Sequence, residues 1–182
     1  MSLAGAVVWG VVPFIPEAPF RLYAGQERPP IEVLDAKPLT SSGQKGGDTQ
    51  FDFVVKGKAR PVLILSDKHA DDLAEYLALR LARFTKFAAV EQQTIRAQKH
   101  STLFYLKPEK FSLPEENAAM LDSLVRVHKT AIDTKPCGQL DEYELRTVQE
   151  RFLRFHGLDL RVLLQVAMEQ AEAKGKKAAG RK

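Results

Sequence analysis

The stretch Lys58-Ala59-Arg60-Pro61-Val62-Leu63-Ile64-Leu65-Ser66 sets a basic, polar lead-in against a short branched apolar run. Val62 to Leu65 has the length and composition of a buried strand, and Pro61 sits near its start, where a missing N–H does least harm. Pro61 also excludes Arg60 from the helical region and holds it extended. A cation is thereby aimed from the beginning of a strand.

Upstream, residues 5–14 read GAVVWGVVPF, a β-rich apolar run with Pro13 near its end. Prolines at 16, 19, 29, 30 and 38 punctuate the next section, with a short candidate strand at 31–34. Residues 41–48, SSGQKGGD, read as a loop, and 51–55 as a strand that Gly57 turns into the stretch quoted above. Downstream, Leu73, Leu77, Leu81 and Phe84 recur at helical spacing behind Asp71 and Asp72, acids that suit a helix N-terminus. The spacing predicts an inserted helix over 69–84, capped by Ser66 or Asp67. Residues 87–90, 102–106 and 124–128 are further strand candidates, and Pro114-Glu115-Glu116 reads as the start of a short helical turn.

Asp141 and Glu144 have capping-box spacing and open a helix near 141–156. Leu145, Val148, Phe152 and Phe155 mark its buried face, and Gly157 is placed to stop it. Asp159 can cap a second helix near 159–173, carrying Leu160, Leu163, Leu164, Ala167 and Ala171. Short strands with glycine-rich turns suit a small barrel. The expected fold is mainly β with appended helices: a single domain over 1–170, with 5–14, 51–55, 62–65 and 124–128 in one twisted antiparallel sheet system.

At 182 residues and 45 % hydrophobic content the chain can bury one core without staples. Its one cysteine, Cys137, excludes an intramolecular disulfide and fits a cytoplasmic setting. No stretch approaches the roughly 18 uninterrupted apolar residues of a membrane span, and no leader is evident, so no membrane partner is expected. The net charge of +4 is misleading, because residues 171–182 hold five basic residues against Glu172 alone. Residues 1–170 are therefore neutral overall. The basic tail reads as a flexible, solubilising end, with salt-sensitive attraction to a polyanion as the alternative.

Four pieces fall in a familiar order: the first strand, Gly47-Asp48-Thr49-Gln50, the Lys58–Ser66 stretch, and Leu124-Val125-Arg126-Val127. Together they resemble the MazF/PemK toxin family, over roughly residues 4–157. Asp48 and Thr49 depart from the middle pair of that family's G-S-E-Q loop. Residues 51–59 separate Gln50 from Arg60, whereas the family loop lies close to its arginine. The chain also carries extra material at 19–45, at 69–84 and after Gly157.

The resemblance implies an SH3-like barrel and a homodimer. It implies a type II toxin–antitoxin setting with an antitoxin protein as partner. It further implies cleavage of single-stranded RNA with no metal or cofactor. RNA can be cut this way because its 2′-hydroxyl is an internal nucleophile; the protein has to orient it, move protons and stabilise phosphorane charge. Arg60 matches the family's arginine before proline, and a planar guanidinium holds two phosphate oxygens while staying charged. The bland reading is an arginine bracing a loop. The family's second residue is a threonine or serine at the end of the following strand. Thr94 is the candidate, with Ser101 and Thr102 as alternatives. Lys58, Gln50, Lys99 and His100 are the substrate-binding candidates.

The remaining motifs are negative. His69, His100, His128 and His156 lack metal-ligand spacing, and one cysteine cannot complete a usual zinc site, so no metal is expected. No dinucleotide, Walker, zincin or nucleophile-elbow motif is present. Trp9 and Phe14 read either as base-stacking rings or as core. The competing function is a non-catalytic nucleic-acid- or protein-binding module on the same barrel.

Overall fold

The computed structural model describes residues 3–14, 20–23, 31–34, 52–66 and 73–159, together with 162 and 165. It resolves into two compact units, Met1–Gly10 with Arg60–Lys182, and Val11–Ala59. Within the second unit, β2 (Phe20–Tyr23) pairs antiparallel with both β3 (Ile31–Val33) and β4 (Asp52–Phe53), which makes a three-stranded sheet ordered β3-β2-β4.

The main sheet has six strands. They are β1 (Ala6–Pro13), β5 (Gly57–Ile64), β6 (Glu75–Arg83), β7 (Leu103–Leu106), β8 (Asn117–His128) and β9 (Gly138–Gln139), ordered β7-β8-β6-β5-β1-β9. The strands curl into a small SH3-like barrel. Two features impose the curvature. Leu79 pairs with Leu124 and Leu81 with Ala119, so five steps along β8 match two along β6. Such a bulge bends the sheet and raises its twist, and Arg80 Nε bonds Ser123 Oγ across it. Beyond β7, Phe111 forms a bridge to Gly138, and Ser112 N donates to Cys137 O at 2.7 Å, which ties the two ends of the strand order together.

Helix α1 (Ala89–Arg96) packs beside β7 through Ile95, next to buried Phe84, Leu103 and Ala118. Helix α2 (Glu142–Phe155) lies against the barrel core, its Val148 joining Leu63, Leu79, Leu81, Leu106 and Leu121. A fully buried side chain of this size contributes about 1.5–3 kcal/mol, so this face of α2 anchors it. Its capping box forms as the spacing predicted: Glu144 N donates to Asp141 Oδ1 at 2.8 Å, and Asp141 N to Glu144 Oε2 at 3.2 Å. Gly157 follows at φ +76°, a conformation that favours glycine.

Several expectations are corrected. Residues 75–83 are strand β6, where a helix over 69–84 was expected. The leucine spacing of four misleads because four is an even number: it repeats on one face of a strand as well as near one face of a helix. Buried Ala78 and Leu79 between those leucines show burial on both faces. The helix stands later, at Ala89–Arg96, where residues 87–90 read as a strand. Pro114 to Glu116 lead into β8 with no helical turn, and a 3-10 turn forms at Pro108–Lys110 instead. Strand β4, within the expected 51–55, belongs to the three-stranded sheet and not to the barrel. The other expected strands at 5–14, 31–34, 62–65, 102–106 and 124–128 are present. The loop at 41–48, residues 69–72, most of the helix near 159–173 and the tail at 171–182 lie outside the described residues; Val162 and Gln165 are helical.

Candidate functional site

Arg60 stands on β5 directly before Pro61, half-buried, with Val62 and Ile64 fully buried after it. The Arg60 side chain makes no hydrogen bond or ion pair among the described residues. A guanidinium with no carboxylate partner among the described residues can hold an anion without displacing an internal ion pair. Lys58 on the same strand is exposed, its Nζ 5.7 Å from the centroid of the Phe14 ring. Phe14 is partly buried and Trp9 half-buried. Gln50 lies outside the described residues.

Thr94 is on a helix, α1, and not at a strand end; its hydroxyl donates to Val90 O at 3.2 Å. Such back-bonding uses the proton a phosphate would need. Lys99 follows α1 and is exposed, its backbone N donating to Thr94 O. His100 is half-buried, with Nε2 3.3 Å from Glu91 Oε1 and Nδ1 accepting from Thr102 N at 3.3 Å. Thr102 Oγ1 is 3.4 Å from the same Nδ1, and Ser101 is exposed. Thr94, Lys99 and His100 thus share one helix and the turn after it. Arg60 stands on β5, which β6 and β8 separate from β7 in the strand order.

Arg151 of α2 secures that turn. Its guanidinium donates to Gln98 Oε1 at 3.0 Å, to Leu103 O at 2.9 Å and to His100 O. It also lies over the Phe104 ring, 5.6 Å from the centroid. Burial lowers the Arg151 pKa, and no carboxylate faces it among the described residues. Gln98, with φ 58°, is the strained residue of the turn and bonds Tyr105 N and O through its amide.

A second group went unnoticed in the sequence. Thr85, two residues past the end of β6, donates its hydroxyl to Glu115 Oε2 at 3.1 Å, and Arg83 Nε is 3.2 Å from Glu115 Oε1. The neighbouring Glu116 accepts from Arg96 Nε at 3.2 Å and from the Tyr105 hydroxyl at 3.4 Å. The bond to Glu116 raises the Arg96 pKa, and burial raises that of Tyr105. Each acid therefore holds one arginine and one hydroxyl. The signal that could have found Thr85 was the true end of the strand after β5, concealed by the helical reading of 69–84.

The barrel and its bulged β6–β8 pairing define a mainly β, SH3-like protein, with Arg60 within β5. No family model matches the chain, and no curated protein matches it. Among solved structures, it is similar to the Mycobacterium tuberculosis toxin MazF-mt6 at a TM-score of 0.44 and 16 % identity, over 56 % of this chain and 90 % of that one. No helix among the described residues is long and apolar enough to cross a membrane.

Proposed function

We propose that the chain is a metal-independent endoribonuclease of the toxin–antitoxin kind, acting on single-stranded RNA. The observation that carries this reading is Arg60: a half-buried residue whose side chain has no partner among the described residues, held extended before Pro61 within β5. In the reaction, the 2′-oxygen attacks phosphorus and the bond to the 5′-oxygen breaks. The 2′-proton is lost and the departing 5′-oxygen gains a proton. The products are a 2′,3′-cyclic phosphate and a 5′-hydroxyl. Arg60 would hold two non-bridging oxygens as charge develops on the phosphorane. Thr85 meets the requirement of a hydroxyl at the end of the following strand better than Thr94, whose proton is given to Val90 O. Lys58, Gln50, Lys99 and His100 would contact the strand flanking the scissile bond, and the protein would act in the cytoplasm as a homodimer held in check by an antitoxin.

The test is incubation of a long unstructured RNA with the full chain in excess chelator. Fragments ending in 2′,3′-cyclic phosphate and beginning with 5′-hydroxyl support the reading; intact RNA, or 5′-phosphate ends, contradicts it. The engagement of the Thr94 hydroxyl with its own helix favours a second reading, a non-catalytic nucleic-acid-binding module. That reading expects salt-dependent RNA binding without fragments.

A further inference from the structure

Helix α2 leaves a groove of about 480 Å³ between its Phe152 and Leu153 and the sheet, where Leu65, Leu77 and Leu124 form the other wall. Leu124 stands opposite Leu79 and diagonal to Leu77, on the same face of the β6–β8 pair. Leu77 is 45 % and Leu124 42 % exposed, so two large apolar side chains lie open side by side. A contiguous apolar patch of this kind marks a contact surface. The end of α2 decides which part of the chain comes next to it. Gly157 N donates to Arg154 O at 3.1 Å and Leu158 N to Leu153 O at 2.9 Å. These paired bonds end a helix at a left-handed residue and set the residue after it against the last turn. Leu158 is thereby held beside Leu153, a wall of the groove. The chain beyond Asp159 starts from the end of the groove itself.

We propose that residues 160–171 of this same chain dock in the groove as an amphipathic helix. Leu160, Leu163, Leu164, Ala167 and Ala171 fall at helical spacing after Asp159. At about 100° per residue, Val162 and Gln165 belong to the opposite side, and both are helical and exposed. A helix over this stretch is about 18 Å long, enough to run beside the groove-lining part of α2 from Arg146 to Leu153. Charge fits the same arrangement. An antiparallel run that begins with Leu158 beside Leu153 brings Arg161 level with Glu150. Glu150 lines the groove and makes no ion pair among the described residues. Docked in this way, the segment covers Leu77 and Leu124 and closes this face to a second copy of the chain. The inference stands on α2 and its groove and is independent of the RNA reading above.

The experiment is methyl NMR on the full chain, labelled at leucine and valine. Nuclear Overhauser contacts should join Leu160, Leu163 and Leu164 to Leu77, Leu124 and Leu153. In a mixture of two differently labelled populations of the chain, those contacts should stay within one population. Leu164→Asp should remove them and speed amide exchange at residues 160–171 by about tenfold or more. The Leu63 and Leu79 methyls should not move in that variant, a sign that the barrel core stays folded. Glu150→Lys should speed the same exchange by about two- to fivefold, the scale of a rim ion pair, and Glu150→Lys with Arg161→Glu should recover it. Contacts found only between populations would give the groove to a second copy and overturn the proposal. No contact from residues 160–164 to the groove, or wild-type exchange in Leu164→Asp, would overturn it equally.

Discussion

Gly138 runs so close to Lys110 that a Cβ on the glycine would stand 2.1 Å from the Lys110 carbonyl oxygen, with Phe111 Cδ1 at 2.6 Å. The obstacle is backbone, so no side chain can swing aside. This contact is part of the bridge that joins the segment after β7 to β9 and closes the curled sheet. Gly138→Ala should lower stability by about 1–3 kcal/mol or more, the usual result of overpacking a tight site. Denaturant unfolding should show a lower midpoint with unchanged slope; a wild-type midpoint would mean that the bridge does not hold the barrel closed.

Arg151 makes three charge-assisted bonds from α2 to the turn after α1. A hydrogen bond to a charged group is worth about 1.5–3 kcal/mol, and the loss here leaves buried carbonyls unpaired. Arg151→Met, similar in length and apolar, should destabilise by roughly 2–3 kcal/mol, and amide exchange should quicken first at residues 98–103. Arg151→Lys should restore only part, because a single ammonium cannot reproduce the fork. Unchanged exchange at those residues in Arg151→Met would count against the clamp.

Asp141 caps α2 through Glu144 N and meets Lys110 Nζ at 3.0 Å. The backbone bond from Glu144, then Lys110, lowers its pKa below the usual aspartate value. A carboxylate with a depressed folded pKa adds stability that is present above its unfolded pKa of about 3.9 and is lost as pH falls through the lower folded value. Thermal melting should therefore fall more steeply below about pH 4 in wild type than in Asp141→Asn. Parallel curves for the two proteins would remove Asp141 from the acid sensitivity.

Thr85 and Thr94 separate two assignments of the reacting hydroxyl. Thr85 is exposed beyond β6 and bonded to Glu115, whereas Thr94 is bonded within its own helix. Thr85→Ala should slow RNA cleavage by roughly 100-fold, the lower end of the loss of one preorganised donor. Thr94→Ala should leave it within about twofold, as expected for a hydroxyl already satisfied by its helix. The reverse order of effects would restore Thr94 to the site.

The sequence legibly marked what depends on local chemistry. The capping box at Asp141 and Glu144, the stop at Gly157 and the strand at Val62 to Leu65 each follow from a few adjacent residues, and each is present. What failed needed knowledge of partners. Leu77 and Leu81 carry the same four-residue step in a helix and in a strand, and the choice was made by pairing with Arg126 and Ala119 on β8. That one ambiguity displaced the following helix by some residues and put the Thr94 candidate, expected after a strand, on α1.

The most direct test of the account is the rate at which Arg60→Ala cuts RNA, set against wild type in excess chelator, with Arg60→Lys alongside. Among the described residues the Arg60 side chain has no hydrogen bond or ion pair to lose, so its replacement should leave the melting temperature close to that of wild type. The account predicts a fall in rate of roughly 100- to 1000-fold for Arg60→Ala, partial recovery in Arg60→Lys, and no change in product ends. A stably folded Arg60→Ala protein that cuts RNA at the wild-type rate would contradict it.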